Sequence, residues 1–316
     1  MKICFHENAL CARGTSVALF DYAYFAKRMF DVECHILYNK NHTANDNTAI
    51  EKFNTEFGKV RGYNSFEEMQ GILEDIKPDA FFMEKSGPYD GVISNTCDNW
   101  IHAIGPCNKS QVYGDKFVMG SQWLSKMSNY EIDYVPYMVN FPELHNDNFR
   151  QEFNIPNDSI VFGRNGGSDT FDLGFVKQAV LDVLNKREDI YFLFQGTDLF
   201  AVHERIIHLP TSSDLYTKIK FINTTDALIH ARELGESFGA TCAEFSFLNK
   251  PVITWDGSRE RNHIDTLGDK GFYYNNYNDV MSVFENFRPN PSMDWNCYKE
   301  SEPSVVMDKF KKLYFS

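Results

Sequence analysis

Short runs of consecutive apolar residues alternate along this chain with longer segments in which apolar positions recur every three to four residues. The first pattern suits strands covered on both faces, and the second suits amphipathic helices packed over them. KICFHE (2–7) opens as a strand, VALFDYAYFAKRMF (17–30) reads as a helix, and ECHILY (33–38) as the second strand. SFEEMQGILEDI (65–76) predicts a capped helix that ends at the Lys77–Pro78 step, and DAFFMEKS (79–86) predicts the strand after it. WIHAIG (100–105), KFVMGS (116–121) and YVPYMV (134–139) read as three further strands. SQWLSKM (121–127) predicts a short helix with Ser121 as its N-cap.

The periodicity breaks at VNFPELHNDNFRQEFNIPNDS (139–159), a polar, proline-punctuated stretch expected to be a linker. A second alternating series follows: SIVFGRNGG (159–167), a helix over DLGFVKQAVLDVLNKR (172–187), IYFLFQG (190–196), a helix near SSDLYTKIKF (212–221), ALIHA (227–231), one more helix, and VITW (252–255). Domains are therefore expected at 1–142 and 152–290, with 291–316 as a tail whose SEPSVVMDKFKKLYF (301–315) is a helix candidate. Alternating strands and helices predict the α/β class, here two doubly wound, Rossmann-like domains facing each other across a cleft.

Composition narrows the function. At 316 residues with 43% hydrophobic content the chain suits two packed domains of ordinary size. Its net charge of −13 argues against nucleic acid or an anionic membrane as a partner. No stretch reads as a transmembrane segment, and the N-terminal MKICFHENALCARG lacks a long apolar run, so a cytoplasmic location is expected. The seven cysteines (4, 11, 34, 97, 107, 242, 297) form no Cys-x-x-Cys pair and are expected to be reduced thiols. No His-Glu-x-x-His or Asp-x-Asp string collects a metal, so no metal or other cofactor is expected.

The most informative stretch is ESFGATCAEFSFLNKPVIT (236–254), a loop entering a short helix and then a proline-led strand. Gly235 and Gly239 keep the backbone thin beside Glu236, so a ligand can approach the free N–H groups at the helix start, which suit a diphosphate. Glu244 lies about two turns on, and its side chain leans back toward the N-terminus. Both carboxylates can then face one elongated ligand.

This string resembles the nucleotide-sugar site of retaining GT-B glycosyltransferases of family four. Glu236, Phe238, Gly239, Glu244, Pro251, Val252 and Ile253 match in register, while Phe245, Ser246 and Phe247 depart from the usual Ala-Met-Ala. The linker string DYVPYMVNFPE and GFYYNN, with Gly271 and Phe272, are similar to further family segments, so the likeness spans almost the entire chain. The resemblance implies a GT-B fold with an acceptor-side N-terminal domain and a donor-side C-terminal domain, and a final helix that crosses back to the first. It implies a nucleoside-diphosphate sugar as donor, with an unidentified acceptor, and a sugar transfer that retains configuration at the anomeric carbon. By the same likeness Glu236 orients the sugar, Glu244 holds the ribose diol, and Gly163-Arg164 meets the donor diphosphate, an arginine paired to a nearby Asp being the structural alternative for Arg164. Gly14, in ALCARGTS (9–16), matches a glycine loop near the donor or acceptor, and His102 matches a histidine that leans onto the donor sugar; a buried structural histidine is the alternative.

One departure is large. The family's lysine five residues after the arginine is Asp169 here, a charge that repels phosphate. Either the sequence shifts locally and GRNGGSD offers backbone N–H groups as an anion nest, or another cation takes over; Arg13, Arg259 and Arg261 are the candidates, with solvated loop charges as the alternative reading, and of the family's loop glycines only Asp256-Gly257 remains. Two rival readings stand beside the transferase: a binding protein that has lost catalysis, and a nucleotide-sugar epimerase of the same architecture.

Overall fold

The computed structural model describes residues 1–316 apart from 12, 142 and 213. Residue 12 lies in the predicted glycine loop, 142 is the expected end of the first domain, and 213 falls in the predicted 212–221 helix; these points lie outside the described residues. The chain divides into two compact units, 1–140 with 300–316, and 141–299.

In the first unit the chain runs β1 (Lys2–Glu7), α1 (Gly14–Phe30), β2 (Glu33–Asn39), α2 (Asn47–Phe57), β3 (Val60–Tyr63), α3 (Phe66–Ile76), β4 (Ala80–Lys85), β5 (Asp98–Ala103), β6 (Lys116–Met119) and α4 (Gln122–Met127). The strands form one parallel sheet in the order β3-β2-β1-β4-β5-β6. All six residues of β4 are buried, as a strand covered on both faces requires. Ser65 and Ser121 cap α3 and α4 by accepting from the N–H groups of Glu68 and Leu124. The predicted strand 134–139 is only a bridge, Met119 to Tyr134. Pro136, with no N–H to donate, stops the ladder there. Helix α2 went unpredicted because only Phe53 and Phe57 of it are buried, too thin a stripe to stand out; Asp46 caps it.

The C-terminal helix Pro303–Tyr314 belongs to this first unit. Proline at its first turn is preorganised for a helix, and Val306, Met307, Phe310 and Tyr314 form one buried stripe. Phe310 stacks on Tyr22 with centroids 5.5 Å apart, and Tyr314 on Trp100 at 5.4 Å. Burying side chains of this size stabilises by about 1.5–3 kcal/mol each.

The second unit runs β7 (Ile160–Asn165), α5 (Gly174–Leu184), β8 (Ile190–Gln195), β9 (Ile206–Leu209), α6 (Leu215–Thr224), β10 (Ala227–His230), β11 (Gly235–Glu236), α7 (Ala240–Phe247), β12 (Val252–Trp255), β13 (Glu260–Arg261), α8 (Asn262–Leu267), β14 (Phe272–Tyr274) and α9 (Tyr277–Asn286). Its parallel sheet has the order β14-β12-β10-β7-β8-β9, and β11 pairs only with β13. Successive strands run outward from β7 on one side and from β10 on the other, so the order reverses between them. In such sheets a crevice opens at the carboxyl ends of the strands at the reversal point. Arg164 is the last residue but one of β7, and His230 ends β10. Among the described residues, no helix is long and apolar enough to cross a membrane.

Candidate functional site

The two adjoining strand ends and the start of α7 gather most of the expected site residues in the second unit. Glu236 sits in the two-residue strand β11, held against β13 in the register Gly235 to Glu260 and Glu236 to Arg261. That pairing explains the glycine: Gly235 has φ +76°, and a Cβ on it would lie 2.1 Å from the Glu260 carbonyl oxygen. Gly239 caps α7 with φ +89°, and a Cβ there would press on His263 and Glu236. Thr241, in the first turn, donates to the Asn165 carbonyl at 3.0 Å and ties the helix start to the end of β7.

A polar chain stands behind Glu236. His230 Nε2 donates to Glu236 Oε1 at 3.2 Å, and Arg232 contacts the same oxygen at 3.1 Å. His230 Nδ1 lies 2.9 Å from the Thr254 hydroxyl, which lies 3.0 Å from His263 Nε2. Burial pushes the Glu236 carboxyl up, but the His230 hydrogen bond and the neighbouring positive charges outweigh it and hold the group at about 2. Burial and the His230 charge depress His263 well below the ordinary imidazole range. Glu236 is therefore a fixed anion with its orientation set from behind.

Glu244 follows on α7 and pairs with Lys218 of α6, Nζ to Oε1 2.6 Å, each side chain 17% exposed. Arg164 is only 4% exposed. Its guanidinium donates to Thr197 Oγ1 at 2.6 Å, to the Gly167 carbonyl at 3.0 Å and to Thr170 Oγ1. The loop 166–170 thus wraps it. Burial draws its pKa down to about 10, with the Glu236 charge opposing and the Arg232 charge adding.

Other expected residues have different surroundings. The space beside Gly163 is filled by Thr225, whose Cγ2 would be 2.3 Å from an added Cβ, so the close approach there is packing of β7 against the end of α6. Phe238 is buried against Tyr298, ring centroids 5.9 Å apart. Gly14 is the exposed first residue of α1, in the other unit, and a Cβ on it would meet nothing. His102 is fully buried in the first unit, ringed by Tyr22, Tyr137, Phe82 and Tyr314, with Nδ1 3.2 Å from the Tyr314 hydroxyl. Burial pulls it to about 3. These are the surroundings of a core histidine, in place of the expected ligand contact.

The candidate replacements for the lysine also resolve. Arg261 is bonded to the carbonyl and carboxylate of Asp256, and Arg13, Arg259 and Asp169 are exposed. Arg232, His230, His263 and Lys218 were not foreseen. Arg232 carried one faint signal, a cation four residues ahead of Glu236. Among the described residues no group of three or more His, Cys, Asp or Glu side chains could hold a metal ion.

No protein-family model and no curated protein matches this sequence. Solved structures do match in fold. A glycosyltransferase from Rickettsia africae superposes with a TM-score of 0.76 at 14% identity, covering 99% of this chain and 97% of that one. HepE of Anabaena, solved in complex with UDP and glucose, gives 0.72 at 11% identity over 99% and 98%. The UDP-GlcNAc 2-epimerase of Neisseria meningitidis, bound to UDP-GlcNAc, gives 0.62 at 10% identity over the full length of both chains. The chain is similar over its whole length to GT-B glycosyltransferases, and its fold is of the GT-B class.

Proposed function

We propose that this protein is a glycosyltransferase that takes a sugar from a nucleoside diphosphate and passes it to an acceptor hydroxyl with retention at the anomeric carbon. The observation that supports the reading is that His230, at the end of β10, holds Glu236, and Thr241 ties the start of α7 to the end of β7, the two strands between which the order of the second sheet reverses. A diphosphate would lie on the free N–H groups of α7, where the helix end favours anions. Glu244 would accept from the ribose hydroxyls and Glu236 from the sugar. The bond from the anomeric carbon to the diphosphate oxygen breaks, that oxygen keeps the electron pair, and the acceptor oxygen bonds on the same face while its proton passes to the departing phosphate. Such a step needs fixed positive groups aimed at the leaving oxygens and no protein nucleophile or metal. The whole-length likeness to HepE, whose structure holds UDP, supports the donor class.

The epimerase likeness makes isomerisation of the bound sugar the alternative. A melting-point screen against UDP, GDP and ADP sugars, followed by product analysis with a panel of sugar acceptors, separates the readings. Transfer releases the nucleoside diphosphate and yields a glycoside whose anomeric configuration matches the donor. An isomerised nucleotide sugar with no released diphosphate would establish the epimerase, and binding without turnover would establish a binding protein.

A further inference from the structure

We propose that Arg232 is the second cation of the diphosphate pocket, standing in for the lysine whose place Asp169 occupies. The inference rests on the donor reading above and adds a residue that the sequence string did not mark. A pyrophosphate leaving group carries its growing charge on several oxygens, and a lone guanidinium wrapped by its own loop reaches few of them. Arg164 is in that position, since Thr197, Thr170 and Gly167 already accept its N–H groups. Asp169 is exposed, and Arg261 is held by Asp256. Arg232 differs from both arginines. It leaves the carboxyl end of β10 at the point where the strand order reverses, and its side chain is 27% exposed. It contacts Glu236 through Nη1 at 3.1 Å, and the strand it follows pairs with β7, which carries Arg164, so it stands beside the carboxylate and near the proposed phosphate side.

That position assigns it two tasks. Its contact with Glu236 keeps the carboxylate ionised and turned, and the fork of remaining N–H donors suits phosphate oxygens, which a guanidinium can grip in pairs. When the bond to the sugar breaks, the β-phosphate gains a negative charge and the contact with Arg232 strengthens as the transition state is reached. Asp169 is then tolerated because the cation arrives from the β10 side of the crevice. The loop 166–170, which the family pattern gives a lysine, is free here to enclose Arg164.

The test is a calorimetric titration of the full chain with uridine, UMP and UDP, run in parallel with the guanosine and adenosine series, for the wild type and for Arg232→Met, Arg232→Gln and Arg232→Lys, with melting points taken first. The expected result is a loss of about tenfold or more in diphosphate affinity for the methionine and glutamine variants, a smaller loss for the monophosphate, none for the nucleoside, and partial recovery with lysine. Their dependence on salt should weaken as well, since one phosphate contact is gone. Unchanged diphosphate affinity in a folded variant overturns the assignment. An equal loss for nucleoside, monophosphate and diphosphate also overturns it, because the residue then shapes the pocket and does not meet phosphate. If the wild type binds none of the nucleotides, the donor reading itself fails.

Discussion

Lys218 and Glu244 form an ion pair of 2.6 Å between α6 and α7, with each side chain 17% exposed. One carboxylate oxygen is thereby engaged and the group is aimed by a neighbouring helix, which is the preorganisation a ribose-binding acid requires. Glu244→Ala should weaken nucleotide-sugar binding by about 1.5–3 kcal/mol, the range for a hydrogen bond to a charged group. Lys218→Met should weaken it less, because the carboxylate remains but loses its aim. Calorimetry with both variants checks the order, and a larger loss for Lys218→Met would point to direct contact between the lysine and the ligand.

Arg164 holds its own loop, and the proposed mechanism gives it an electrostatic role as well. Arg164→Met should lower turnover by about a hundredfold, as loss of one preorganised charge does. It should also lower the melting point, since the partners Thr197, Thr170 and Gly167 lose their donor. Turnover and thermal melting measured on the same preparation test both effects.

Gly235→Ala should be disproportionately harmful for a single methyl group. The added carbon would lie 2.1 Å from the Glu260 carbonyl oxygen at a residue with φ +76°. A strained residue of this kind costs about 1–3 kcal/mol before the clash is relieved. Relief would separate β11 from β13 and move Glu236, so donor affinity and melting point should fall together, whereas Gly14→Ala, which meets nothing, should leave the melting point near the wild-type value.

The first unit predicts a pH effect. Glu7 and Glu84 are buried at the carboxyl ends of β1 and β4, neighbouring strands of the first sheet. Burial, against the Asn8 N–H and other partners, pushes Glu7 from the usual 4.5 up to about 7; burial and the Glu7 charge raise Glu84 well above that usual value. Between pH 4.5 and 7 the unfolded chain has released the Glu7 proton while the folded chain retains it, so stability falls as pH rises through that window. The loss from this group reaches about 3 kcal/mol. Glu7→Gln, which imitates the protonated acid, should shrink the drop in melting point between about pH 5 and about pH 8. An equal drop in the variant would remove Glu7 from the account.

What could be read from the sequence and what could not divide along physical lines. Strands such as AFFMEK and helices such as FEEMQGILEDI announce themselves because burial on both faces, or on one stripe, leaves a strong pattern. Glu236 and Glu244 drew notice as candidates because one local segment carries both. The departure at 245 and 246 is explained only in three dimensions: Phe245 packs in the core against Phe221, and the Ser246 hydroxyl donates to the Trp295 carbonyl and accepts from the Cys297 N–H. Lys218, His230, Arg232 and His263 left little trace, since each acts through a partner brought close by folding. His102 also lies in a matching local string, and it is the buried-histidine alternative that its surroundings fit.

The most direct test of the account is amide hydrogen exchange of the full chain with and without a saturating nucleotide sugar identified by the melting screen. Binding at the proposed site should slow exchange in 163–170 and 232–247, the end of β7 with its loop and the segment from Arg232 through α7. The same ligand concentration should give little protection in Glu244→Ala. Protection confined to other segments, or unchanged protection in that variant, would contradict a donor site built on Glu236 and Glu244.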